Sequence, residues 1–100
     1  NQDFGDRLPS EVFNEHILTC FIDDAVGMEV RQHLNPDHIH WECDYPHSDS
    51  TWPDTKQIAT EMFAELDDED VYKICRGNAI RMLSLPTERF DAPLIAPAAV

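Results

Sequence analysis

The sequence predicts an α/β fold in the order strand, helix, strand, helix, helix. Three observations carry this. An unbroken apolar run, Ile17-Leu18-Thr19-Cys20-Phe21-Ile22, ends in Asp23-Asp24. A second β-type stretch covers His38 to Cys43, and helical patterning lies between the two and after them. Short strands alternating with helices read as a βαβα unit with a parallel strand pair and a right-handed crossover.

Leu8-Pro9-Ser10-Glu11 marks a helix or turn start, with Ser10 as the expected cap. The apolar run from Ile17 to Ile22 fits a strand buried on both faces. Asp24 is then placed to cap a short helix with Val26, Val30 and Leu34 at four-residue spacing, and Asn35-Pro36 stops it. His38–Cys43 forms the second strand and runs into the turn Asp44-Tyr45-Pro46-His47. Pro53 and Asp54 open the next helix, which carries Ile58, Ala59, Met62, Phe63 and Leu66 on one face. The acidic run Asp67-Asp68-Glu69-Asp70 starts another, with Val71, Ile74 and Cys75. Gly77 is expected to break it and Asn78 to cap a last short helix. From Pro86 onward, Pro86, Pro93 and Pro97 with no period suggest an extended arm. The division expected is residues 1–85 folded and 86–100 tail.

Composition narrows the function classes. Of 100 residues, 42% are apolar and 27% charged, the balance of a soluble globular chain rather than a disordered one. Seven Lys and Arg against 20 Asp and Glu give −13. A surface this acidic repels phosphate backbones and anionic lipid, so no nucleic-acid or membrane partner is expected. No apolar stretch approaches the ~20 residues of a membrane span. The polar, acidic start does not look like a signal peptide, and with no initiator Met the natural N-terminus is expected upstream. Cys20, Cys43 and Cys75 are odd in number and far apart. That argues for a reducing compartment, and a cytoplasmic location is the expectation.

The densest polar cluster runs from His38 to His47. Strand alternation puts His40, Glu42 and Asp44 on one face and Ile39, Trp41 and Cys43 on the other. A carboxylate at the carboxyl end of a parallel strand is where α/β folds place catalytic groups. His40 and Asp44 do not share one ion on a straight strand, because four residues span roughly 13 Å. Cys43 is expected to be buried and inert.

Trp41-Glu42-Cys43-Asp44-Tyr45-Pro46-His47-Ser48-Asp49-Ser50-Thr51-Trp52-Pro53 resembles the last-strand signature of the amidohydrolase-related proteins, in the branch that includes aminocarboxymuconate-semialdehyde decarboxylase. Phe21-Ile22-Asp23-Asp24-Ala25-Val26-Gly27 is similar to the stretch around that family's seventh strand. Gly77-Asn78-Ala79-Ile80-Arg81-Met82-Leu83 resembles its closing helix. With Leu8-Pro9-Ser10-Glu11, the matches run in order from about Leu8 to Leu85.

The resemblance implies the C-terminal βαβα(α) segment of a (β/α)₈ TIM barrel, holding strands seven and eight, incomplete at 100 residues because such a barrel takes ~250. It implies a metal-dependent hydrolase or carbon–carbon lyase acting by hydrolysis or non-oxidative decarboxylation on a small carboxylated or cyclic substrate. The cofactor implied is a divalent ion, zinc the expected one. Asp44 falls on the last-strand aspartate that ligates the ion or takes the proton of its water. The other ligands would lie upstream, outside this chain, and His38 and His40 sit on the wrong strand to replace them. The isolated chain is therefore expected to be inactive, with the rest of the barrel or another copy as its partner.

Each residue also has a plainer reading. Asp44 can be a turn or capping residue. His47 is a second group beside Asp44, a substrate contact or a solvent-exposed turn histidine. Glu42 orients Asp44 or pairs with an arginine such as Arg81. His38 and His40 read as packing or surface residues. Two rivals to the enzyme reading remain: a non-catalytic truncated barrel module acting in association, and a metal-binding peptide using His38, His40, Asp44 and His47.

Overall fold

The computed structural model describes residues 3–90. Its centre is a two-stranded parallel sheet of β1 (Thr19–Phe21) and β2 (Ile39–Trp41), in register Thr19 to Ile39, Cys20 to His40 and Phe21 to Trp41. The predicted parallel pair is present, and the fold is α/β.

Helix α1 (Pro9–His16) precedes the sheet. Its N-cap is Leu8 rather than the expected Ser10: Pro9 needs no N–H partner at the first helical position, and the Glu11 carboxylate accepts the Leu8 N–H at 2.7 Å. β1 is also shorter than the apolar run and is not buried on both faces. Ile17, Leu18 and Cys20 are exposed.

Helix α2 (Ala25–Val30) starts where expected, the Asp24 carboxylate accepting the Gly27 N–H at 2.7 Å. Its inward residue differs from the pattern: Met28 is buried, whereas Val26 and Val30 face solvent. Two 3₁₀ turns, Arg31–His33 and Pro36–His38, lead into β2, so His38 precedes the strand instead of opening it. Helix α3 (Thr55–Met62) has Asp54 as its N-cap residue, and its predicted apolar face is inward: Ile58, Ala59, Met62, Phe63 and Leu66 are half-buried or buried.

Helix α4 (Asp68–Tyr72) begins on the acidic run, with the Asp67 carboxylate accepting the Asp70 N–H at 2.8 Å. Gly77 does not break the helix as expected. The chain stays helical through a π turn at Lys73–Gly77 into α5 (Asn78–Met82). Asn78 is accordingly not a cap but a buried tie: its amide donates to the carbonyls of Pro36 at 2.9 Å and Ile39 at 2.8 Å. The expected arm starts with a helical turn, α6 (Thr87–Phe90); the rest of that expectation falls outside the described residues.

The core lies on one side of the sheet. Met28, Ile39, Phe63 and Ile74 are buried together, with Phe21, Trp41 and Leu66 packed against them. Phe63 meets Phe21 and Trp41 edge-on, ring centroids 6.3 and 5.9 Å apart, the geometry that aromatic quadrupoles favour. Helices α2 and α3 and the π turn are thereby clamped to β2, which fixes where its carboxyl end emerges.

Candidate functional site

The carboxyl end of β2 is pinned to the end of β1 by two bonds. The Glu42 N–H donates to the Phe21 carbonyl at 3.0 Å, and the Trp41 indole N–H donates to the Ile22 carbonyl at 2.8 Å. Past this point the loop to α3 closes on itself. The Cys43 carbonyl accepts from the Ser50 hydroxyl at 2.7 Å and from the Thr51 N–H at 3.2 Å. The Thr51 hydroxyl reaches the Thr55 hydroxyl at 3.1 Å, tying the loop to the start of α3.

Asp44 sits in this pinned loop with φ at 53°, in the left-handed region. Non-glycine residues seldom occupy it, and Asp does so more readily because its short polar side chain bonds locally. The carboxylate bonds His47: Nδ1 lies 2.9 Å from both Oδ1 and Oδ2. The His47 N–H also donates to the Asp44 carbonyl at 2.9 Å, closing the turn. Asp44 is 25% exposed at its side chain and His47 73%, so the imidazole is the outer member of the pair. Because the carboxylate only accepts, Nδ1 carries the proton of this bond.

Asp44 and His47 are therefore brought together, and the other named residues are not part of that contact. Glu42 neither pairs with Arg81 nor bonds Asp44: its carboxylate accepts the Cys20 thiol at 3.2 Å. That bond, more than partial burial, raises the Cys20 pKa. Arg81 instead donates to the Asp37 carbonyl at 2.6 Å. His40 is 7% exposed, its Nδ1 at 3.2 Å from the Thr19 carbonyl and its Nε2 without a partner among the described residues. It is a packing residue of the sheet. His38 is half-buried in the turn before β2. Cys43 is half-buried rather than buried.

Among the described residues, no three His, Cys, Asp or Glu side chains converge to hold a metal ion. A zinc site takes three or four protein ligands. The pair of Asp44 and His47 falls short of that, so this chain's donor set does not make a metal centre alone, and the four-residue site on His38, His40, Asp44 and His47 does not form.

The Asp44–His47 bond is a feature that strand alternation does not give, although an acidic residue three positions before a histidine across a proline turn is a signal for it. Tyr45 and Trp52 likewise escape the sequence reading. They pack edge-on at 5.8 Å over the loop that carries Asp44, and each immediately precedes a proline. An open groove of about 570 Å³, walled by Trp41, Trp52, Lys56 and Phe63 among others, includes neither Asp44 nor His47. No helix among the described residues is long and apolar enough to cross a membrane.

No curated protein matches the chain. The amidohydrolase family profile matches residues 4–85, spanning α1, the parallel strands, the Asp44 loop and the helices through α5. The chain belongs to the amidohydrolase family.

Proposed function

We propose that the chain is the strand-seven to closing-helix part of an amidohydrolase (β/α)₈ barrel of the aminocarboxymuconate-semialdehyde decarboxylase type. The whole enzyme would carry out metal-assisted hydrolysis or non-oxidative decarboxylation of a small carboxylated or cyclic substrate in the cytoplasm. The single observation that carries this reading is Asp44, held in a left-handed turn just past the carboxyl end of a parallel strand. Such ends are where barrels gather their catalytic groups.

In the enzyme, Asp44 is the carboxylate this chain contributes. A divalent ion would polarise bound water and substrate, with its remaining ligands supplied from outside residues 1–100. Asp44 accepts a proton at a carboxylate oxygen, and the pinned loop holds that oxygen in place without reorganisation. Losing a general base typically costs 10²–10⁴-fold in rate. Asp44→Asn in the enzyme containing this segment is expected to fold normally, since Asn tolerates the left-handed turn, and to lose at least about a hundredfold in kcat. His40→Ala is the control, lowering stability more than turnover. An Asp44→Asn enzyme with near-unchanged kcat would refute the assignment.

A second reading has an observation of its own. The two-stranded sheet leaves an unpaired edge on each strand among the described residues, and Leu8, Ile17, Leu18 and Val26 are exposed. A non-catalytic module that associates through these surfaces would also fit. Turnover by the enzyme containing the segment, abolished at Asp44, separates the two.

A further inference from the structure

We propose that His47 is a positioning residue for Asp44. Its Nδ1–H, shared between both carboxylate oxygens, fixes the carboxylate rotamer at the end of β2. The functional weight of this arrangement rests on the proposed role of Asp44, but the arrangement is testable without it.

The geometry points this way for three reasons. First, Nδ1 stands 2.9 Å from each oxygen, so rotation about either side-chain bond of Asp44 breaks contact with at least one of them. Second, His47 is the one side chain hydrogen-bonded to the Asp44 carboxylate among the described residues, so its bond is the side-chain tie that holds the rotamer within the turn. Third, the backbone that carries the imidazole is itself anchored. Its backbone N–H is bonded to Asp44, its carbonyl accepts the Ser50 N–H at 3.2 Å, and Ser50 is tied to Cys43. A chain of bonds therefore runs from the strand end, through Ser50 and His47, back to the carboxylate. A histidine that merely finished the turn would need its backbone bonds only. The side-chain bond adds orientation, and it places a proton on Nδ1.

The test uses the full 100-residue chain and needs no metal, substrate or turnover, so its failure is distinct from failure of the enzymatic reading. Hα–Hβ couplings of Asp44 report its rotamer, and long-range ¹H–¹⁵N spectra report the His47 tautomer. The unmutated chain should show a single-rotamer pattern and a protonated Nδ1. His47→Ala should lose the single rotamer while the β1 and β2 amide signals persist. His47→Asn, whose side-chain amide nitrogen overlays Nδ1, should restore the rotamer, and His47→Gln, whose amide overlays Nε2, should not. Averaged couplings in the unmutated chain would overturn the proposal. So would an unchanged rotamer in His47→Ala, rescue by Gln equal to rescue by Asn, or loss of the strand signals in His47→Ala.

Discussion

Replacing Asn78 with Ala probes the joint on which the position of β2 depends. Asn78 is 1% exposed, and its amide spans two chain segments, donating to Pro36 at 2.9 Å and Ile39 at 2.8 Å. Its carbonyl oxygen accepts from Arg81 at 3.2 Å. Each amide–carbonyl bond contributes about 0.5–1.5 kcal/mol net, and a buried partner left unpaired costs about 1–3 kcal/mol. The Ile39 carbonyl lies on a buried residue, whereas Pro36 is exposed and water can reach it. One buried bond lost with its acceptor stranded, and one bond exchanged for water, sum to about 1.5–4.5 kcal/mol. Asn78→Asp should cost more than Ala, because a carboxylate in place of the amide faces two carbonyl oxygens with no proton to give. Urea denaturation of the three chains measures this, and amide exchange at Ile39 and His40 locates it. Stabilities of the unmutated and Ala chains that agree within about 0.5 kcal/mol, on the ~1 kcal/mol scale of one bond, would refute the tie. So would an Asp variant as stable as the Ala variant.

Phe63→Ala removes the ring that packs edge-on against Phe21 and Trp41; it should cost about 3–5 kcal/mol and abolish the near-ultraviolet dichroism of Trp41. Cys75, exposed by area but partly desolvated by its neighbours, is pushed above the ordinary thiol value of 9.0, and Cys20 chiefly by its bond to Glu42. Both shifts favour the protonated thiol in the folded state. Their stabilisation is present below the ordinary thiol value and is lost as the pH rises through the folded values, so denaturation midpoints should fall on the alkaline side. Glu42→Gln should speed alkylation of Cys20 at mildly alkaline pH, and an unchanged rate would refute the bond. Calorimetric titration of the 100-residue chain with zinc should show no sub-micromolar 1:1 site, and sedimentation should show association through the open strand edges.

Local signals in the sequence carry as far as local chemistry does. Asp24 is legible as a cap, and the acidic run from Asp67 as a helix start, because a carboxylate three residues before an N–H closes the first turn whatever surrounds it. The parallel pairing is legible from two β-type stretches separated by a capped helix. Burial is less so. The apolar run at Ile17–Ile22 reads as doubly buried because residues suited to a two-sided environment look the same whether or not that environment is present. Ile17 and Leu18 lie exposed here for that reason. Gly77 misleads for a different cause. Its helix-breaking tendency amounts to ~1 kcal/mol, and the neighbouring core residue Ile74 together with the two Asn78 bonds holds the backbone helical against it. A tertiary tie thus outweighs a local propensity, and Asn78, a cap by residue type, becomes the residue that links α5 to β2. The same physics applies at Asp44. Strand alternation carries as far as β2 runs, and β2 ends at Trp41. Beyond it the direction of the Asp44 carboxylate is set by a left-handed backbone turn, by Ser50 and Thr51 closing on Cys43, and by the Nδ1 of His47. The sequence puts a carboxylate just past the strand; its orientation comes from hydrogen bonds to groups further along the loop.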